Sequence, residues 1–266
     1  MRCRFALLMA VFMSASILLG QSSGNAEQLF DKGMNALKGT GVSHNSLNAL
    51  DLLRQSADLG YAPAQVALAY FYDAGVLVVA DQGQAAQWYR RAADQNDRLA
   101  EWLLGRLYYM GSGVPRDLDR AASSFKRAAD QGDDFGEYLL GEVELERHKY
   151  ESAAALLRKA AEQGLPQAQW QYGNLLKEGL GTKVDKFEAY VWLLISFDAG
   201  FTRGAADLAA LEAALGSTQL EQAKNRARDL ERSVTRSVAA HGCTGWDGEF
   251  GTIPTPPPPE LQRFCR

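Results

Sequence analysis

The sequence predicts an all-α fold: a solenoid of stacked helix pairs closed at its C-terminal end by further helices. Three observations predict it. Four segments end alike, RRAADQN (Arg90 to Asn96), KRAADQG (Lys126 to Gly132), RKAAEQG (Arg158 to Gly164) and ISFDAG (Ile195 to Gly200), at steps of 36, 32 and 36 residues. Self-similarity at such a period marks stacked supersecondary units rather than one globular core. Alanine and leucine are abundant, and four of the eight prolines cluster near the C-terminus, which leaves the body free to be helical. No alternating apolar run is long enough to argue for a sheet.

The first 26 residues read differently from the body. Arg2 and Arg4 form a basic start, Phe5 to Leu19 is an uncharged apolar run, and Gly24-Asn25-Ala26 supplies small residues for a signal peptidase. A secretory leader over 1–26, cut after Ala26, is the expectation, because the apolar run falls short of the roughly 20 residues that span a bilayer. Its removal takes away two arginines and no acids, so the net charge moves from -4 to -6. Such a chain carries no basic stripe for nucleic acid, and stable membrane insertion after cleavage is not expected. Cys243 and Cys265 remain as the only cysteines of the mature chain, most simply one disulfide in an exported protein.

Over 27–200 the chain lines up as five units, Asn25 to Gly60, Tyr61 to Asn96, Asp97 to Gly132, Asp133 to Gly164 and Leu165 to Gly200. Ala64, Ala100, Gly136 and Ala168 share one column. Leu68, Leu104, Leu140 and Tyr172 share another, each followed by a small residue, Ala69, Gly105, Gly141 or Gly173. Small residues beside large ones let two helix axes approach closely. Glycine turns follow, at Gly39 and Gly41, Gly75, Gly111 and Gly113, and Gly179 and Gly181, where a left-handed residue ends a helix without steric cost. Asp81 with Gln84 and Asp185 with Glu188 have capping-box spacing, and Asn45 and Asp117 occupy the same column. The second helix of each unit carries Ala49, Ala85, Ala121, Ala153 or Ala189, then Trp88-Tyr89, Phe125, Leu157 or Trp192-Leu193.

The stretch from Ala100 to Gly132, with Leu104-Gly105, Gly111, Gly113, Val114, Asp117, Ala121 and Ala128-Ala129, resembles the Sel1-like repeat family, a relative of the tetratricopeptide repeat. The resemblance covers about residues 25–200. It implies a right-handed superhelix of antiparallel helix pairs whose role is protein interaction or assembly. Two departures stand out: the fourth unit has no glycine turn between Glu142 and Tyr150, and the body lacks the cysteines with which some members staple each repeat.

Residues 201–240 are expected to cap the array. Phe201 to Leu215 reads as one more first helix, with Ala205, Leu208 and Leu211 on one face, and Thr218 with Glu221 as a capping box opening a long helix. Residues 241–266 form a Gly/Pro-rich tail around Thr255 and Pro256 to Pro259, which cannot build a core of its own.

Catalytic chemistry finds little to stand on. His44, His148 and His241 are far apart and lack the i, i+4 partner of a helical metal site, and no nucleophile elbow, phosphate loop or C-x-x-C pair occurs. No catalytic residue, metal site or cofactor is expected, and the protein reads as a non-enzyme. Recognition finds more. On the first helices, Val66, Tyr70 and Asp73; Trp102, Arg106 and Tyr109; Tyr138, Glu142 and Leu145; and Trp170, Asn174 and Lys177 share one face at spacing i, i+4, i+7. Aromatic rings and arginine dominate binding energy at interfaces. The row Tyr70, Arg106, Glu142, Asn174 changes character from unit to unit, as residues that read a partner do. Trp102, Tyr138 and Trp170 also suit packing between hairpins. The sequence thus points to an exported adaptor or regulatory scaffold of a bacterial cell envelope, periplasmic or secreted, whose partner is another protein. The alternative is a cell-wall glycan- or peptide-binding or hydrolytic protein using the same groove.

Overall fold

The computed structural model describes residues 24–37 and 46–241, with side chains of the last helix as far as residue 233. The leader up to residue 23, the first glycine turn with His44 and Asn45, and the tail with Cys243 and Cys265 lie outside the described residues. Within them every element is helical. The order is α1 (24–37), α2 (Ser46–Asp58), α3 (Ala62–Ala74), α4 (Gln82–Ala93), α5 (Arg98–Met110), α6 (Leu118–Asp130), α7 (Asp134–Glu146), α8 (Tyr150–Glu162), α9 (Pro166–Glu178), α10 (Lys186–Asp198), a 3-10 turn (Thr202–Gly204), α11 (Ala205–Ala214) and α12 (Ser217–His241). The chain divides into two compact units. The first holds α1 to α4, α5 as far as Ala100 and the loop Ser112 to Pro115; the second holds Glu101 to Gly111 and everything from Arg116 to α12.

Each hairpin is closed by one repeated contact. In the first unit a Cβ on Gly33 would lie 2.8 Å from Leu53 Cγ. In the second, Gly105 faces Phe125 at 2.6 Å, Gly141 faces Leu157 at 2.8 Å and Gly173 faces Leu193 at 2.9 Å. Leu53, Phe125, Leu157 and Leu193 are all buried, as is Tyr89 at the same column opposite Ala69. A side chain on these glycines would push the paired helix outward and open a gap around a large core residue, the packing fault that costs most in a close-packed interior.

Caps fall where the spacing placed them. Asp81 Oδ1 accepts from Gln84 N–H at 2.9 Å, Asp185 Oδ1 from Glu188 N–H at 3.0 Å, and Asp117 Oδ1 from the N–H groups of Asp119 and Arg120; each such cap contributes about 1 kcal/mol. Gly113 and Gly181 hold φ near +68° and +67°, and a Cβ there would strike backbone of the preceding hairpin at 2.2 and 2.1 Å. The second glycine of the turn therefore serves close approach as well as left-handed geometry. Leu77 occupies that position in the second repeat at φ +63°. The glycine-free fourth turn is made by His148 at φ +58°, with Glu144 taking Arg147 at 3.2 Å and Lys149 at 3.4 Å beneath it.

Two differences from the expected ends appear. Helix α1 begins at residue 24, inside the segment assigned to the leader, and Ala26 is buried with its carbonyl accepting from the buried Ser56 Oγ at 2.5 Å. Ser196 makes the equivalent bond to the Pro166 carbonyl at 2.7 Å. In the cap, α12 starts at Ser217, so Thr218 lies inside the first turn instead of capping it. The expected first helix is split by the 3-10 turn, and Ala205 is exposed while Leu211 is buried. Ala223 and Ala227 face the core as the helical spacing requires.

Candidate interaction surface

The residues singled out on the first helices divide into those spent on packing and those that reach solvent. Val66 and Tyr70 are 1% and 2% exposed; Tyr70 is core in the first unit and offers no ring to a partner, a correction to its place in the recognition row. Asp73 is half-buried and already engaged within the chain. Trp102 is buried against Phe135 at a ring distance of 5.8 Å, and Trp170 packs on Phe201 at the same distance. Both rings thus join one hairpin to the next, and Phe30 against Tyr61 at 5.4 Å repeats the arrangement in the first unit.

Several polar members of the row in the second unit also reach the following repeat. Gln171 Nε2 donates to Glu142 Oε1 at 2.7 Å, and Lys177 Nζ donates to Asp207 Oδ1 at 2.7 Å. Arg116 Nη2 donates to both oxygens of Glu146 at 2.6 and 2.7 Å. Asn174 Nδ2 turns back to the Trp170 carbonyl at 3.1 Å. Part of the variation along the row is therefore pairwise matching between neighbours. Gln171, Asp207, Arg116, Glu146 and Arg203 belong to this face and escaped the sequence reading, which followed positions within one helix and not across the roughly 30-residue step between partners.

What remains accessible is a polar and aromatic strip on the second unit. Arg106, Tyr109, Tyr138, Glu142, Trp170, Asn174 and Lys177 are all half-buried. The Arg116 guanidinium lies 5.6 Å from the Tyr109 ring centre and that of Arg203 lies 5.0 Å from the Trp170 ring. Burial pushes the Tyr109 and Tyr138 hydroxyls above the usual tyrosine range, and the Glu142 carboxylate adds to both. Glu142 itself is pushed up by burial, against the opposing pull of the Gln171 amide and the Arg203 charge.

A second position that recurs along the first helices is wholly buried. Gln65, Glu101, Glu137 and Gln169 stand at one column and are 4%, 0%, 1% and 0% exposed. Gln65 Nε2 donates to the Ala57 carbonyl at 3.0 Å and its Oε1 accepts from Gln95 at 2.8 Å. Arg127 reaches Glu101 at 2.8 Å, and Glu137 is held by Lys159 and by Gln163 at 2.5 Å. Gln169 Nε2 donates to the Ala161 carbonyl at 3.3 Å. Among the described residues no group of three or more His, Cys, Asp and Glu is placed to hold a metal ion, and no helix is long and apolar enough to cross a membrane.

The comparisons with known proteins agree with this architecture. The pattern described as the Sel1 repeat matches five times, at residues 33–61, 62–97, 98–133, 136–165 and 166–201, over more than half of the chain. The crystal structure of a Sel1 repeat protein from Oxalobacter formigenes is similar, at 27% identity and a TM-score of 0.62 over 65% of this chain and 73% of that one. So is c5321, a protective antigen present in uropathogenic Escherichia coli strains, at 25% identity and a TM-score of 0.52 over 83% of this chain; the match spans 56% of that protein. None of the curated proteins matches this chain by sequence. Five consecutive repeats, hairpins closed by a small residue against a large one, and relatives with the same fold establish that the chain belongs to the Sel1 repeat family.

Proposed function

We propose that this protein is an exported, non-catalytic adaptor that binds another protein along the first-helix strip of its second unit. Sel1 repeat proteins generally mediate protein–protein interactions. The observation that supports the placement is the strip itself: aromatic rings and charged groups half-buried on one helix face, the composition of interface anchors, with their backbones fixed by the closed hairpins below. Changing Arg106 and Tyr109 together to Ala is expected to weaken capture of the partner while shifting thermal unfolding little. Equal loss of both would assign the strip to the core.

Export rests on the leader, and the mature chain is proposed to begin ahead of Gly24, since a cut after Ala26 would remove the carbonyl that the buried Ser56 hydroxyl bonds. An intact mass of protein from the extracytoplasmic fraction decides this. A mass starting at Glu27 would restore the later cut, and an uncut chain would remove the export reading. Cys243 and Cys265 are proposed to be joined in the exported protein, which a two-dalton gain on reduction checks.

A further inference from the structure

We infer that Arg203, held over the Trp170 ring, docks an aspartate or glutamate side chain of the partner protein. This rests on the interaction reading above and names the chemistry of the group bound.

Successive hairpins of the second unit meet at a repeating contact. Trp102 and Trp170 stand five residues after Asp97 and Leu165, the first residues of their repeats, and Phe135 and Arg203 stand two residues after Asp133 and Phe201, where the following units begin. In the earlier joint Trp102 meets Phe135 ring to ring at 5.8 Å. In the last joint Arg203 takes the place of that phenylalanine and sets its guanidinium 5.0 Å from the centre of the Trp170 ring. Sealing does not require an arginine there, since Phe201 already packs on Trp170 at 5.8 Å. What the arginine adds is a planar fork of N–H donors whose edges stay free when its face lies on a ring.

Other cations of this unit are spent on acids: Arg116 on Glu146, Arg147 on Asp119 and Glu144, and Lys177 on Asp207. Glu142, on the same face, gives its Oε1 to the Gln171 amide at 2.7 Å. Arg203 is exposed on the 3-10 turn, and among the described residues no carboxylate pairs with it. The indole N–H of Trp170 is buried without an acceptor, although a buried tryptophan usually spends that group on a hydrogen bond. The ring is therefore placed by packing, against Phe201 and against Gly204, where a Cβ would lie 2.7 Å from Trp170 Cδ1. Donors thus outnumber acceptors at this joint, and a guanidinium already settled on a ring loses little freedom when it binds. A carboxylate matches its fork with two oxygens, whereas a lysine or arginine of the partner would meet like charge.

The test titrates the full-length chain with the capped tripeptides Gly-Glu-Gly, Gly-Gln-Gly and Gly-Lys-Gly while the indole N–H resonances are followed. The glutamate peptide is expected to shift the Trp170 resonance saturably, and the glutamine and lysine peptides to bind about fivefold more weakly. Arg203→Phe rebuilds the ring-on-ring closure of Trp102 and Phe135 without the donors. It is expected to erase the preference for glutamate while leaving the unfolding temperature equal or higher. Arg203→Lys keeps the charge but not the planar fork, and is expected to retain only part of the preference. Equal response to glutamate and glutamine in the wild type, or a preference that survives Arg203→Phe, would overturn the assignment and leave Arg203 as a seal on the last joint. A partner captured equally by wild type and Arg203→Phe would overturn it while leaving the interaction reading standing; a wild-type chain that captures nothing along the strip would remove both.

Discussion

The hairpins α3–α4 and α7–α8 bury a polar side chain at the same column and satisfy it by different means. In α3–α4 the group is the amide of Gln65, which gives one bond to the Ala57 carbonyl and takes one from Gln95. In α7–α8 it is the carboxylate of Glu137, held by Lys159 and Gln163. The neutral arrangement needs only matched hydrogen bonds. The charged one must also offset the desolvation of an ion, which makes it conditional on its partner and on pH.

The largest effect that separates them is removal of the cation. Lys159→Met leaves Glu137 buried with only an amide; because the Lys159 side chain is itself largely exposed, the loss falls below that of a fully buried pair, at about 2 kcal/mol. The reverse experiment in α3–α4, Gln95→Met, costs about 1 kcal/mol, and urea titration of the two variants orders them. A smaller effect follows from proton linkage. Burial pushes the Glu137 acid above the usual glutamate range even with Lys159 beside it, so the folded state binds the proton more tightly than the unfolded state. Stability contributed by this group is present at low pH and is lost as pH rises from the ordinary glutamate value through the raised one. Glu137→Gln should flatten that slope in a series of unfolding midpoints, whereas Gln65→Glu should introduce one.

The hairpin α9–α10 satisfies its buried amide only in part. Gln169 in α9–α10 occupies the Gln65 column and bonds the Ala161 carbonyl, but its buried Oε1 has no hydrogen-bond partner. The reason lies in the sequence: Ala199 stands where Gln95 and Gln163 stand in the other hairpins. Ala199→Gln is therefore expected to stabilise the protein by about 1 kcal/mol, the worth of satisfying one buried acceptor, and a differential scan resolves the gain. No gain would mean that the C-terminal turn of α10 does not bring residue 199 over the column.

The repeats, hairpin caps and glycine turns were legible in the sequence because each is a local requirement: a left-handed residue at Gly111, a side-chain acceptor at Asp117, a small residue at Gly105. Asn96 at φ +62° shows the same logic, since it replaces glycine at the one kind of position where asparagine is tolerated. The buried polar row was present in the sequence as Gln65, Glu101, Glu137 and Gln169, but a glutamate on a helix reads as surface until its burial is known. The interaction face was half legible. Trp102 and Trp170 have the composition of anchors and the position of mortar, and composition alone does not separate the two. Nor does spacing along one helix reveal that Glu142 meets Gln171 or that Lys177 meets Asp207, because those pairs form only when one repeat is laid on the next.

The face that carries recognition is tested most directly by a photoreactive residue placed in the living cell at Asn174 on α9 and, separately, at Ser152, exposed on α8. The account predicts a partner adduct from position 174 and none from position 152. An adduct from 152 alone would place recognition on the second helices and contradict it.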